Sequence, residues 1–309
     1  MDFSERPAYL VAETVLKSSS LPVLVLLAAS TLWGLTWLPL KHFGHYGVEG
    51  PAVTLFAHGT VGLLAVPFLW RRRAVWRAAL GTMAWLAFLG GLANLAFASA
   101  IVLGDVTRVM VLFYLLPAWG VLGARLLLHE RIDTRRKLSL AAALGGAFFV
   151  LGGPKIVEQP PNWIDAVAAL SGLALATNNV LFRKAGDVPV ESKVGFVFVG
   201  SLAWASFVIL ASPSLVIPAA PPLIWTEVVL FGVVWILAAT AGTLFGVHHL
   251  EAGRSSVLII MELVTAVVSA AVIGGKAPSA LEWAGGVLIL ISGLLEALRA
   301  EPTQGPVAS

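Results

Sequence analysis

A carboxylate in the middle of an unbroken apolar run has few ways to exist. Glu262 stands inside Val257–Val267, where every other residue but Thr265 is apolar. An ionised carboxylate in such a setting must face water or a partner, and a neutral one can take up and release a proton. Asn178 and Asn179 are adjacent amides in a second apolar run. Neighbouring residues on a helix point about 100° apart, so both cannot serve one packing partner. At least one is expected to face a cavity. Asn94, Tyr114, Thr36 and Thr240 are further polar side chains deep within apolar runs, and Trp33 and Trp235 add planar faces with a polar edge. Together these types supply hydrogen bonds, an aromatic surface and one exchangeable proton, which is the equipment of a binding site for a small polar or aromatic solute. Ser99 is a further polar group at such depth, and Thr243 and Thr265 fit interhelical hydrogen bonding better. His58 is a weaker addition to the set.

The same residues do not make a catalytic or metal centre. No Gly-x-Ser-x-Gly elbow, His-Glu-x-x-His helix or phosphate-binding Gly-x-x-x-x-Gly-Lys-Ser/Thr loop occurs. His248 and His249 are adjacent and diverge on a helix, a poor geometry for one metal. With no cysteine, disulfides and thiolate ligands are excluded. The chain is therefore expected to be no enzyme and to use no cofactor.

The elements that hold these groups follow from composition. Of 309 residues, 58% are hydrophobic and 12% charged, and the mean hydropathy is +0.90. A soluble domain carries about 25% charged residues. The solvent for this chain is expected to be lipid. Apolar runs at 22–43, 51–70, 78–103, 106–128, 138–153, 163–183, 194–211, 223–247, 254–274 and 280–298 predict ten transmembrane helices, separated by charges or by turns such as Gly50-Pro51 and Gly104-Asp105. The first twenty residues lack the compact apolar centre of a cleavable signal, so the first span is read as an uncleaved anchor. With both termini in the cytoplasm, only Lys41, Arg108, Lys155 and Lys276 of the 20 lysines and arginines fall outside. That asymmetry is what membrane insertion imposes. It also explains a net charge of +3 without nucleic acid, since no basic patch with interleaved aromatics is present. The eleven tryptophans divide between span ends, where they form interfacial belts, and deeper positions such as Trp33 and Trp235.

Five spans per half place the halves in opposite orientations. A shift of 146 lays Val106–Gly123 on Ala252–Ser269 and matches Arg108 to Arg254, Val111 to Val257 and Leu112 to Leu258. The expected architecture is all-α: a cytoplasmic segment 1–21, a five-helix repeat 22–153, a periplasmic linker 154–162, an inverted repeat 163–298 and a cytoplasmic tail 299–309. Inverted repeats can exchange conformations and so open a central cavity to one side and then the other. Helix-breaking or helix-softening residues mark expected hinges at Gly34, Pro39, Pro117 and Gly242.

Several of these residues resemble a known family. The run Thr31–Trp37, Pro117 followed by Leu127-Leu128-His129-Glu130, Glu262, and Gly285-Gly286 in the tenth span are similar in order and spacing to EamA-type transporters of the drug/metabolite transporter superfamily. The chain departs from that pattern at Leu263, where the family commonly has proline, and at Lys276, where it commonly has glutamate. The resemblance is greatest to bacterial exporters of aromatic amino acids and related metabolites. It implies a multi-pass protein of the bacterial inner membrane that exports neutral, mainly aromatic, amino acids by alternating access, with a small molecule and the bilayer as its partners. It does not fix the oligomeric state, for which a monomer is a sufficient unit. Two other readings stand beside it: a nucleotide-sugar or sugar-phosphate exchanger of the same superfamily, and an integral-membrane lipid-modifying enzyme.

Overall fold

Backbone amides and carbonyls in hydrocarbon must be satisfied within the chain, and long apolar runs meet that demand as helices. The computed structural model describes residues 20–116, 118–119, 122, 125, 134–150, 153–154, 161–212, 217–250, 252–275 and 277–297. Among these the regular structure is helical throughout, with no strand. The elements are α1 (Leu21–Gly34), α2 (Trp37–His45), α3 (Gly50–Arg71), α4 (Leu80–Leu103), α5 (Val106–Phe113), α6 (Thr134–Val150), α7 (Trp163–Lys184), α8 (Val190–Ala211), α9 (Pro222–His249), α10 (Ala252–Ile273) and α11 (Ala280–Ala297). Six stretches of the described residues are long and apolar enough to cross a membrane, namely α1 with α2, α3, Arg73–Leu103, which ends with α4, α7, α8 and α9. Shorter apolar helices lie within α6, α10 and α11. The chain is a multi-pass membrane protein. Most of the fourth expected span beyond α5, both termini and most of the 154–162 linker lie outside the described residues.

Local sequence explains the irregular points. The first expected span is two helices, because α1 ends at Gly34 and α2 begins only after the Leu35–Thr36 turn. A Cβ on Gly34 would lie 2.6 Å from the Glu262 carbonyl oxygen and 2.7 Å from Thr265 Cβ, so glycine lets α1 press directly on α10 at Glu262. Two other helices contain π-helical segments, Thr54–His58 in α3 and Phe231–Ile236 in α9. Such widened turns recur at functional sites. They pack against each other, with Gly232 against the Ala57 carbonyl. The start of α7 is fixed by a capping box in which Asn162 Oδ1 accepts from the Ile164 and Asp165 amides while Asp165 returns a bond to the Asn162 amide.

Most contacts between the helices of the two expected halves survive exchange of the halves. α1 packs on α9 as α7 packs on α4; α1 packs on α10 as α7 packs on α5; α3 packs on α9 as α8 packs on α4. The remaining contacts across the halves include α3 on α8, α5 on α10 and α6 on α11, each its own counterpart under exchange.

Candidate functional site

A cavity of about 440 Å³ lies between the two sets of helices, each of which contributes to its wall. α1 supplies Ser30 and Trp33, the π-helical turn of α3 supplies His58, and α4 supplies Asn94 and Phe97. Phe113 and Tyr114 enter at the end of α5, Asn178 and Asn179 from α7, Phe198 from α8, Thr240 and Thr243 from α9, and Glu262 from α10. The cavity reaches Phe182 and Val194, close to the connection between α7 and α8.

Three of the polar groups, Trp33, Thr243 and Asn94, are held by bonds across helices. The Trp33 indole donates to Thr243 Oγ1 at 3.2 Å, and that hydroxyl donates in turn to the Ala239 carbonyl at 2.9 Å. Asn94 Nδ2 donates to Ser201 Oγ at 3.0 Å, which donates to the Val197 carbonyl at the same distance. Tyr114, the residue that follows α5, and Glu262 of α10 line the same cavity. Two groups differ. His58 Nδ1 and Asn178 Oδ1 are buried and meet no hydrogen-bonding partner within the protein. The His58 ring lies against Phe198, with centroids 6.0 Å apart. An unmatched buried polar atom costs about 1–3 kcal/mol, which a bound polar solute would recover. Aromatic rings close the remaining wall: Phe97 and Phe113 are 4.8 Å apart, and Phe113 meets Tyr114 edge-on at 5.5 Å.

Of the residues expected from sequence, Trp33, Asn94, Tyr114, Asn178, Asn179, Thr240 and Glu262 line this one cavity. Two do not. Thr36 would share a face with Trp33 on a continuous helix, but the break at Leu35–Thr36 turns it away. It is buried and donates to the Leu32 carbonyl at 3.0 Å. Trp235 is one position off the stripe Ile236, Thr240, Thr243 and Leu244 that faces the cavity, a rotation of about 100°. Its indole donates to the Leu32 carbonyl at 3.0 Å, and its ring lines a separate groove on the outside of the bundle. Of the expected hinges, Gly34 ends α1, Pro39 lies within α2, and Pro117 falls outside the described residues. Gly242 meets Ala29 of α1, where a Cβ would lie 3.0 Å from the alanine methyl, so its visible role is close packing. Ser30 and the four phenylalanines were not singled out from sequence. Ser30 could have been found, since it stands three residues before Trp33 on the same face of α1.

Charged groups tie the helices together on both sides of the cavity: at the end near Phe182, Lys193 Nζ of α8 donates to the Phe182 carbonyl of α7 at 3.0 Å, and the rest gather at the opposite end. Arg108 of α5 makes a two-pronged pair with Asp165 of α7, Nε to Oδ1 at 2.6 Å and a second guanidinium nitrogen to Oδ2 at 2.7 Å. Lys41 Nζ donates to the carbonyls of Val102 and Gly104 at the end of α4, at 3.1 and 2.6 Å. His42 and Glu227 meet at 3.0 Å between α2 and α9. Slightly deeper, the buried Trp37 indole donates to Ser269 Oγ at 2.9 Å between α2 and α10.

Residues 20–152, less than half of the chain, match the EamA-like transporter family. Twelve chains of solved structures are similar. One, a crystal structure of a protein, is 20% identical with a TM-score of 0.57, and the alignment covers 93% of this chain and 100% of the other. That likeness concerns the fold alone. A comparison with curated proteins gives no match.

Proposed function

We propose that this chain is a secondary transporter that exports neutral amino acids, aromatic ones foremost, and related small metabolites by alternating access around the central cavity. The observation that carries the reading is the cavity itself. It lies between the two helix sets, combines an aromatic wall with Glu262, Asn178 and His58, and has a volume within the range of about 300–1,000 Å³ usual for small-molecule sites. An α-ammonium group fits the Glu262 carboxylate, and the amides of Asn178 and Asn179 with His58 fit a carboxylate. Phe97, Phe113 and Trp33 offer faces for a ring.

The interchangeable packing of the halves supports the inverted repeat that alternating access requires. In this reading Arg108–Asp165, Lys41 and His42–Glu227 close the periplasmic end, and the cavity loads from the cytoplasm past Phe182 and Val194. The arginine and lysine asymmetry supports that orientation. An anionic sugar nucleotide would call for Lys or Arg beside it, and none lines the cavity among the described residues.

The test is flux through the purified protein in liposomes, with labelled Phe, Tyr, Trp and Met offered in turn. Saturable flux of one or more, competed by the others, is the expected result. No flux across the panel, with exchange of a sugar nucleotide instead, would replace the reading.

A further inference from the structure

α9 is pressed against α1 along one half of its length and diverges from α2 along the other. At the close half, a Cβ on Gly242 would lie 3.0 Å from Ala29 Cβ and one on Gly246 would lie 2.6 Å from Leu26 Cβ. Beyond the Leu35–Thr36 break, α2 and the Pro222–Leu230 part of α9 are not packed as a helix pair. A wedge of about 570 Å³ opens between them on the outside of the bundle, apart from the central cavity. Its apex is Trp235, pinned to the Leu32 carbonyl at 3.0 Å. Its floor is Phe43 against Phe231, edge-to-face at 5.7 Å. Leu230 and Val234 stand along it, 52% and 60% exposed. At its mouth His42 and Glu227 meet at 3.0 Å with side chains 48% and 38% exposed.

We infer that this wedge is a binding site for one phospholipid with a primary-amine headgroup, its acyl chain lying between α2 and α9 and its headgroup at His42 and Glu227. Three observations commit the site to that occupant. Its walls are apolar and open sideways, where the membrane protein meets hydrocarbon. From Glu227 to Trp235 is eight residues, a rise of about 12 Å, close to one leaflet's share of a hydrocarbon core of about 30 Å. The polar mouth matches the headgroup: the Glu227 carboxylate accepts from the ammonium, and a ring N–H of His42 donates to the phosphate. A quaternary choline headgroup has no N–H to give Glu227. The site is therefore expected to discriminate between two lipids that differ only there.

Native mass spectrometry of the full chain, purified in detergent and offered phosphatidylethanolamine and phosphatidylcholine of identical acyl chains, tests this. The wild type is expected to retain phosphatidylethanolamine about tenfold better, the discrimination of one charge-assisted hydrogen bond. Glu227→Gln should bring the two lipids close to parity while still holding one acyl chain. Val234→Trp, which fills the wedge, should lose the retained lipid altogether. Val247→Trp, on α9 but outside the wedge, should keep it. Equal retention of both lipids by the wild type would overturn the inference. So would unchanged retention by Val234→Trp, or a lipid-free second copy of the chain bound in its place. Should Val234→Trp not fold, the Glu227→Gln comparison still decides.

Discussion

Glu262 of α10 and Tyr114, the residue after α5, both line the cavity wall. A carboxylate among apolar neighbours has two uses that an amide can separate. Glutamine matches its size, but it cannot carry a negative charge or a proton. Glu262→Gln is therefore expected to leave the fold intact, to lower liposome flux about tenfold through loss of a charged hydrogen bond, and to remove any dependence on an imposed pH gradient. Flux that follows the gradient as in the wild type would refute the coupling role. Glu262 and the Asn178-Asn179 pair were legible in the sequence because hydrocarbon leaves such groups few alternatives. Thr36 lies in the turn at Leu35–Thr36 and Trp235 in the π-helical Phe231–Ile236, so both stand where the backbone departs from α-helical geometry, and neither lines the cavity. His58 occupies the other π-helical turn.

The helices themselves were easier to foresee than their crossings. Apolar length marks α3, α4, α7, α8 and α9 plainly, but small residues decide how closely they approach, and those residues look alike in sequence. Gly200 shows the difference. A Cβ there would lie 1.8 Å from the Ala87 carbonyl oxygen, and one on Gly91 would lie 2.3 Å from the Gly200 carbonyl carbon, so α4 and α8 cross backbone to backbone. Gly286 on α11 has open space where its Cβ would be. Gly200→Val should destabilise the protein by about 1–3 kcal/mol or more, because the crossing cannot relax without moving a helix. Gly286→Ala should stay within about 0.5 kcal/mol of the wild type. Thermal unfolding in detergent compares them, and equal transition temperatures would contradict the account of the α4–α8 contact.

At the scale of the whole molecule, the central claim is that the two helix sets move against each other around the cavity. The Arg108–Asp165 pair joins α5 of one set to α7 of the other, so it must break in each cycle if that motion carries solute. With no cysteine in the chain, the pair can be replaced by cysteines without background. A reducible cross-linker spanning the length of an arginine side chain would then hold the two helices together. The most direct measurement is flux of labelled phenylalanine through liposomes carrying the Arg108→Cys, Asp165→Cys protein, cross-linked and then reduced. The account predicts that flux ceases in the cross-linked protein and returns on reduction. Equal flux in both states would contradict it.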